Sequence, residues 1–307
     1  MLHRRGIAPT LLLCCIWSGA LTLSKSAIAQ NATNLPAGEE LTALPQRMHA
    51  NLVANAKLAR QYACDDSMHS VALNKKGKKI RDDTEKFESA VINGVWYNRQ
   101  VEKNGVPLSA RKMASTQKHL DAIHEIGRGK DFIFDVRDIN PRDSVYSSLP
   151  FCCLATLFEN RALRYEQING RDNLVVESTP KANPGTVSED EITALDWKET
   201  TWIDMADLIP TRYEAELLND RSFVLKGTTE RRDFFRFEWP PDSTSQPKET
   251  VWLESHMLGH LNIKFAWQLE FQTSEGTSYN YKKFKTDMRL LPDSVQEISS
   301  QGASQKP

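Results

Sequence analysis

The stretch Leu261-Asn262-Ile263-Lys264-Phe265-Ala266-Trp267-Gln268-Leu269-Glu270-Phe271 alternates at a period of two. Leu261, Ile263, Phe265, Trp267, Leu269 and Phe271 take one side of the alternation. Asn262, Lys264, Gln268 and Glu270 take the other, with Ala266 among them. An α-helix would scatter these positions around its axis, whereas a strand collects them on one face. The run therefore predicts one long strand with an apolar face, and it marks the chain as built on a sheet.

The flanking sequence has the same texture. Thr211 to Leu218 alternates, with Tyr213, Ala215 and Leu217 against Arg212, Glu214 and Glu216, and it pairs naturally with Thr200 to Met205. Ser222 to Trp239 reads as one or two strands, followed by a Pro/Ser loop over Pro240 to Lys248. A last strand is expected from Tyr279 to about Leu290. Arg164 to Ile168 and Asn173 to Ser178 form a hairpin around Asn169-Gly170. Toward the N-terminus, Tyr62 to Asn74, Lys78 to Ile92 and Val95 to Glu102 form a meander. Its turns are Asn74-Lys75-Lys76-Gly77 and Asn93-Gly94, and Asn104-Gly105 ends it.

Three helices interrupt the strands. Gly38 to Arg60 carries Leu41, Leu44, Met48, Leu52, Val53 and Ala56 at helical spacing. Pro107-Leu108-Ser109 opens a second, with Ser109 as N-cap and an inner face of Met113, Thr116, Leu120 and Ile123. Leu149 to Leu163 reads as a buried helix. Helices that interrupt strands without alternating with them argue α+β with one large antiparallel sheet. The apolar face of that sheet needs a cover, which the helices provide.

Residues 1–29 read as an export signal. Arg4 and Arg5 precede an apolar run from Ile7 to Leu23, and Ala27-Ile28-Ala29 offers a small-x-small cleavage pattern. The expected organisation is a signal peptide over 1–29 and a leader with N-terminal helix over 30–60. The sheet domain follows over 61–291, and a disordered Ser/Gln-rich tail over 292–307. In an oxidising compartment Cys64 either bridges to Cys152 or Cys153 or stays a buried thiol. Adjacent cysteines are poorly placed to pair with each other.

The charge is balanced, with 39 basic against 40 acidic residues, so no nucleic-acid surface is indicated. No nucleophile elbow, zinc-protease motif, phosphate loop or dinucleotide fingerprint occurs. His256 and His260 lie about 13 Å apart on a continuous strand, too far to share one ion. Neither metal, cofactor nor catalytic residue is expected.

Several short phrases arrive in a recognisable order. Tyr62 and Cys64 open the first strand, then come Asn93-Gly94-Val95, Asn104-Gly105-Val106-Pro107-Leu108-Ser109 and Asn169-Gly170-Arg171. Thr201-Trp202-Ile203-Asp204, Val251-Trp252-Leu253 and Tyr281-Lys282-Lys283-Phe284 follow. Over roughly residues 55–290 the chain resembles the bacterial periplasmic outer-membrane lipoprotein-sorting proteins, relatives of LolA and LolB. The resemblance implies a strongly curved antiparallel sheet, an incomplete barrel plugged by helices around an apolar cavity. It implies a monomeric, non-enzymatic carrier of lipid or lipoprotein acyl chains, found in the periplasm or secreted. The expected lining is Phe265, Trp267, Leu269 and Phe271, with Trp202 and Tyr213. The competing reading is an envelope protein-interaction or sensor module on the same fold, without lipid cargo.

Overall fold

The computed structural model describes residues 35–92, 95–115, 118, 157–185, 187, 194–220, 223–239, 248–265 and 268–283. Helix α1 (Glu39–Ala59) comes first, then strands β1 (Tyr62–Asn74), β2 (Lys79–Ile92), β3 (Val95–Lys103) and β4 (Val106–Pro107). A second series follows: β5 (Phe158–Ile168), β6 (Arg171–Pro180), β7 (Trp197–Asp204), β8 (Pro210–Leu217), β9 (Thr229–Trp239), β10 (Glu249–Phe265) and β11 (Gln268–Lys283).

All eleven strands form one sheet in the order β4-β3-β2-β1-β11-β10-β9-β8-β7-β6-β5. Each pair of neighbours is antiparallel. The two meanders are joined where the first strand meets the last, with Ala72 opposite Gln272. β4 and β5 are the two free edges, so the sheet is open. The turn chemistry is local. Asn104-Gly105 and Asn169-Gly170 each place two consecutive residues at positive φ (52° and 77°, 52° and 76°). That is the geometry of a tight hairpin whose twist matches its strands.

α1 covers one face, called the helix face below. Its apolar stripe Leu41, Leu44, Met48 and Leu52 packs on Leu174 and Val176, Ile203, Tyr213 and Ala215, Phe234 and Trp252. These sheet residues come from five consecutive strands, β6 to β10. The backbone of α1 comes near β10 and β5, which lie five strand spacings apart, about 24 Å in a flat sheet. The strands between also pack side chains against the helix.

Two polar contacts fix the helix. Asn55 Oδ1 accepts the backbone N–H of Trp252 at 2.7 Å, and Asn55 Nδ2 donates to the Trp252 carbonyl at 2.9 Å. Asn51 donates to the Asp207 carbonyl at 2.8 Å. Asp207 belongs to a knot that gathers three of the short sequence phrases. The hairpin turn delivers Arg171, whose guanidinium grips buried Asp204 at 2.5 and 2.8 Å and reaches Asp207 at 3.0 Å. The same guanidinium lies 5.7 Å over the Trp252 ring, and Trp252 Nε1 donates to Asp207 at 3.0 Å. The phrases around Arg171, Asp204 and Trp252 are thus parts of one structural lock.

The structure corrects three expectations. The run 261–271 is two strands: β10 ends at Phe265, β11 begins at Gln268, and these two residues pair. The register sets Asn262 against Phe271, Ile263 against Glu270 and Lys264 against Leu269. Paired residues share a face, so Ile263 and Leu269 point to opposite sides. A chain reversal inside an alternating run leaves the alternation intact, which is why the sequence reads as one strand. Residues 158–163, expected at the end of a helix, lie in β5, where edge pairing with β6 overrides local propensity. The strand expected to begin at Tyr279 begins at Gln268 and carries Tyr279–Lys283; its expected remainder lies outside the described residues. So do the signal segment, the tail, the turn Asn93-Gly94, Cys152, Cys153 and most of the second helix, of which 110–115 is helical.

Replacing Asn55 by Ala leaves a buried N–H and carbonyl of Trp252 without these partners, at about 1–3 kcal/mol each. Urea denaturation of Asn55→Ala should show a loss of about 2–6 kcal/mol, against about 1 kcal/mol or less for Asn51→Ala at an exposed contact. Burial alone would raise the Asp204 carboxyl, but the Arg171 bonds and the Asp207 and Ala206 N–H groups hold it below its ordinary value. Its stabilisation is therefore present above about pH 4 and fades as pH falls through the lowered native value. Asp204→Asn should lower stability at neutral pH and flatten that acid limb in pH-dependent melts.

Candidate functional site

The site arises where the sheet splits. β10 and β11 pair from Phe265 and Gln268 as far as His256 and Thr277. Beyond that point β10 continues on β9 to Glu249, and β11 continues on β1 to Lys283. Both flanking ladders bulge at the split, between Glu254 and His256 and between Ala63 and Asp65. Bulges increase local twist and bend the strand, which turns the two ribbons apart. The edge of β10 so exposed is satisfied by side chains. Asn55 takes both backbone groups of Trp252, and the Tyr281 hydroxyl donates to the Glu254 carbonyl at 2.5 Å. A whole tyrosine side chain thus spans a gap that paired strands close at about 4.8 Å.

In the gap lies a groove of 510 Å³, lined by Phe235, Phe237 and Trp239 of β9, Ser255 of β10 and Thr277–Tyr281 of β11. The three aromatics of β9 sit two residues apart and share a face. Phe235 and Phe237 meet edge-on at 6.0 Å between centroids, and Phe237 stacks on Trp239 at 6.3 Å. Tyr281 faces Phe235 and Phe237 at 5.8 and 6.3 Å. Tyr62 meets Phe237 and Trp239 edge-on at 5.8 and 6.3 Å. Buried Val251 and Leu253, with Leu58 and Ala59 at the end of α1, pack beneath these rings. From Phe235 to Trp239 the stripe runs about 13 Å, at 3.3 Å per residue.

One end of the stripe is polar. The Tyr62 hydroxyl donates to Glu249 Oε1 at 2.8 Å, Lys283 Nζ lies 2.7 Å from the same oxygen, and that ammonium sits 5.9 Å over the Tyr62 ring. Burial would raise the Glu249 carboxyl, but Lys283 and Tyr62 outweigh it and hold the group anionic. Burial and the neighbouring Glu249 push the Tyr62 phenol upward.

The residues expected to line a cavity are dispersed. Trp202 is buried on the outer face, with Nε1 donating to Glu166 at 3.0 Å and the Arg212 guanidinium 5.4 Å over its ring. Tyr213, the residue after Arg212 on β8, is buried on the opposite face in the α1 core. Leu269 is half-buried and Phe271 is 40% exposed. Phe265 ends β10, its side chain outside the described residues, as is all of Trp267. None of the four described side chains lines the groove. The aromatic stripe that does so was legible in the alternation Phe235-Arg236-Phe237-Glu238-Trp239.

Other polar groups have local roles. His256 Nε2 lies 3.0 Å from Glu275, and His260 Nδ1 lies 3.1 Å from the Thr273 hydroxyl. Each is a cross-strand pair, and among the described residues no cluster of three His, Cys, Asp or Glu is placed to hold a metal. On the helix face Arg232 bridges Glu230 and Glu254, while burial and then the nearby Glu230 charge push the carboxyl of Glu199 well upward.

No family model matches the chain, and no curated protein matches it. It is similar to several solved structures. A domain from Vibrio parahaemolyticus described as an outer membrane lipoprotein-sorting protein is 12% identical at a TM-score of 0.35, covering 83% of this chain and 98% of that one. A LolA superfamily protein from Nitrosomonas europaea is 11% identical at 0.29, covering 82% and 96%. The MucA/MucB complex of Pseudomonas aeruginosa contains a chain 10% identical at 0.23, covering 78% and 99%. The first two carry the family description that the short sequence phrases resemble.

Cys64 is a buried free thiol, its Sγ 3.6 Å from Asp66 Oδ1. Burial and the Asp66 charge push its pKa far up, so almost no thiolate forms at pH 8. In a Cys152→Ser/Cys153→Ser variant of residues 30–307, an aromatic disulfide reagent should leave the native thiol unreacted over the time in which it titrates one thiol in urea.

Proposed function

We propose that this chain is a binding protein and not an enzyme, and that its groove takes the hydrocarbon chain of a lipid or a lipidated protein. The observation that supports this most is the aromatic groove in the split sheet, because its volume falls in the range of small-ligand sites and Phe235, Phe237, Trp239 and Tyr281 line it with rings beside Ser255, Thr277, Ser278 and Asn280. Each methylene moved from water to such a wall gains about 0.8 kcal/mol. About ten methylenes along the stripe give a gross gain of about 8 kcal/mol. Association costs of about 4 kcal/mol or more leave at most about 4 kcal/mol, a Kd on the order of millimolar, weak enough for a carrier to release its load. Removal of residues 1–29 and a place in the periplasm or outside the cell complete this reading, and the sequence resemblance is consistent with it.

A second reading has one feature in its favour. β11 from Ser278 onward is not paired with β10, so an extended segment of an envelope protein could lay its backbone along that edge. It would then be a peptide side chain, not a lipid, that enters the groove.

The two readings separate by fluorescence. A fatty acid brominated along its chain should quench tryptophan emission saturably, near one molecule per protein, and most of that quenching should vanish in Trp239→Phe. No saturable quenching by brominated chains would sink the carrier reading and leave the peptide edge.

A further inference from the structure

We propose that the polar end of the groove selects a zwitterionic head group, one that carries an anionic phosphodiester and an ammonium together. The inference rests on the hydrocarbon-binding reading and adds the identity of the head. Its basis is the placement of Glu249 and Lys283. Glu249 is paired in register with Trp239, the last ring of the stripe. Lys283 lies two residues beyond Tyr281 on the opposite wall, and the two charges meet at 2.7 Å beside the Tyr62 hydroxyl. Both side chains are about a third exposed, 30% and 28%, so a ligand head can reach them.

The pair discriminates by what each head leaves behind. A carboxylate or a purely anionic phosphodiester that approaches Lys283 also meets the Glu249 charge. It must displace that carboxylate or share the ammonium with it. A purely cationic head meets the converse problem at Lys283. Leaving one member of a half-buried ion pair without a partner is the unfavourable step in both cases. A zwitterion replaces the pair completely: its phosphodiester takes Lys283, its ammonium takes Glu249, and all four charges stay matched.

Three ligands with the same myristoyl chain test this: lysophosphatidylethanolamine, lysophosphatidylglycerol and myristate, each kept below its micelle concentration. Affinities are measured by calorimetry with the full-length mature protein. Lysophosphatidylethanolamine should bind about tenfold more tightly than either of the others. In the Glu249→Gln/Lys283→Met double variant that preference should shrink to about twofold or less while chain binding persists. Circular dichroism verifies the fold, and Glu249→Gln alone keeps an acceptor for Tyr62 as a gentler variant. Soluble phosphoethanolamine should not compete at concentrations that saturate the lysolipid. Equal affinity for the three lipids, a preference that survives the double variant, or full competition by soluble phosphoethanolamine would each overturn the inference. Absence of binding by all three would overturn the hydrocarbon reading and this inference with it.

Discussion

The edge of β10 that faces the split must find hydrogen-bond partners at Trp252 although β11 has turned away from it, and the rest of the structure depends on how it does so. A buried amide without a partner costs as much as a lost hydrogen bond, so an open sheet edge in a protein interior needs a substitute. Asn55 is that substitute. Its side-chain amide presents one acceptor and one donor, the same complement that a neighbouring strand residue would offer. The single residue therefore does two things at once. It completes a sheet that has split, and it ties the helix that covers the sheet to the point of the split.

From that constraint the site follows. Once β10 and β11 separate, the space between them is too wide for strand pairing and too apolar to be left to ordered water. Tyr62, Tyr281, Val251 and Leu253 fill part of it, and the stripe from Phe235 to Trp239 forms the remaining wall. Glu249 and Lys283 neutralise each other at the Trp239 end, and Asp233 pairs with Arg212 and Arg231 beyond the Phe235 end. The lock at Arg171, Asp204, Asp207 and Trp252 holds the helix side of the same strands. It leaves the split to be set by the two bulges and by the end of α1.

Much of the architecture was written in local patterns. The hairpins at Asn104-Gly105 and Asn169-Gly170 need two residues at positive φ, and asparagine followed by glycine supplies them cheaply. The helix over Glu39–Ala59 and the alternation on β8 follow from periodicity, because burial on one face imposes it. Three of the short phrases, those around Arg171, Asp204 and Trp252, meet in one lock. The long run from Leu261 to Phe271 misled for an equally physical reason. Alternation records that a chain is extended, and a reversal between two strands does not interrupt it.

The sequence by itself thus determined the class of fold, the antiparallel sheet, its open hairpin grammar and the helix that would cover it. These depend on interactions between residues near each other in the chain. Only the tertiary structure decided where the sheet would split and which aromatics would face the gap. Asn55 meets Trp252 from 197 residues away, and Tyr62 meets Glu249 from 187. Contacts of that span leave no trace in local periodicity. The groove could be found only after the first strand had paired with the last.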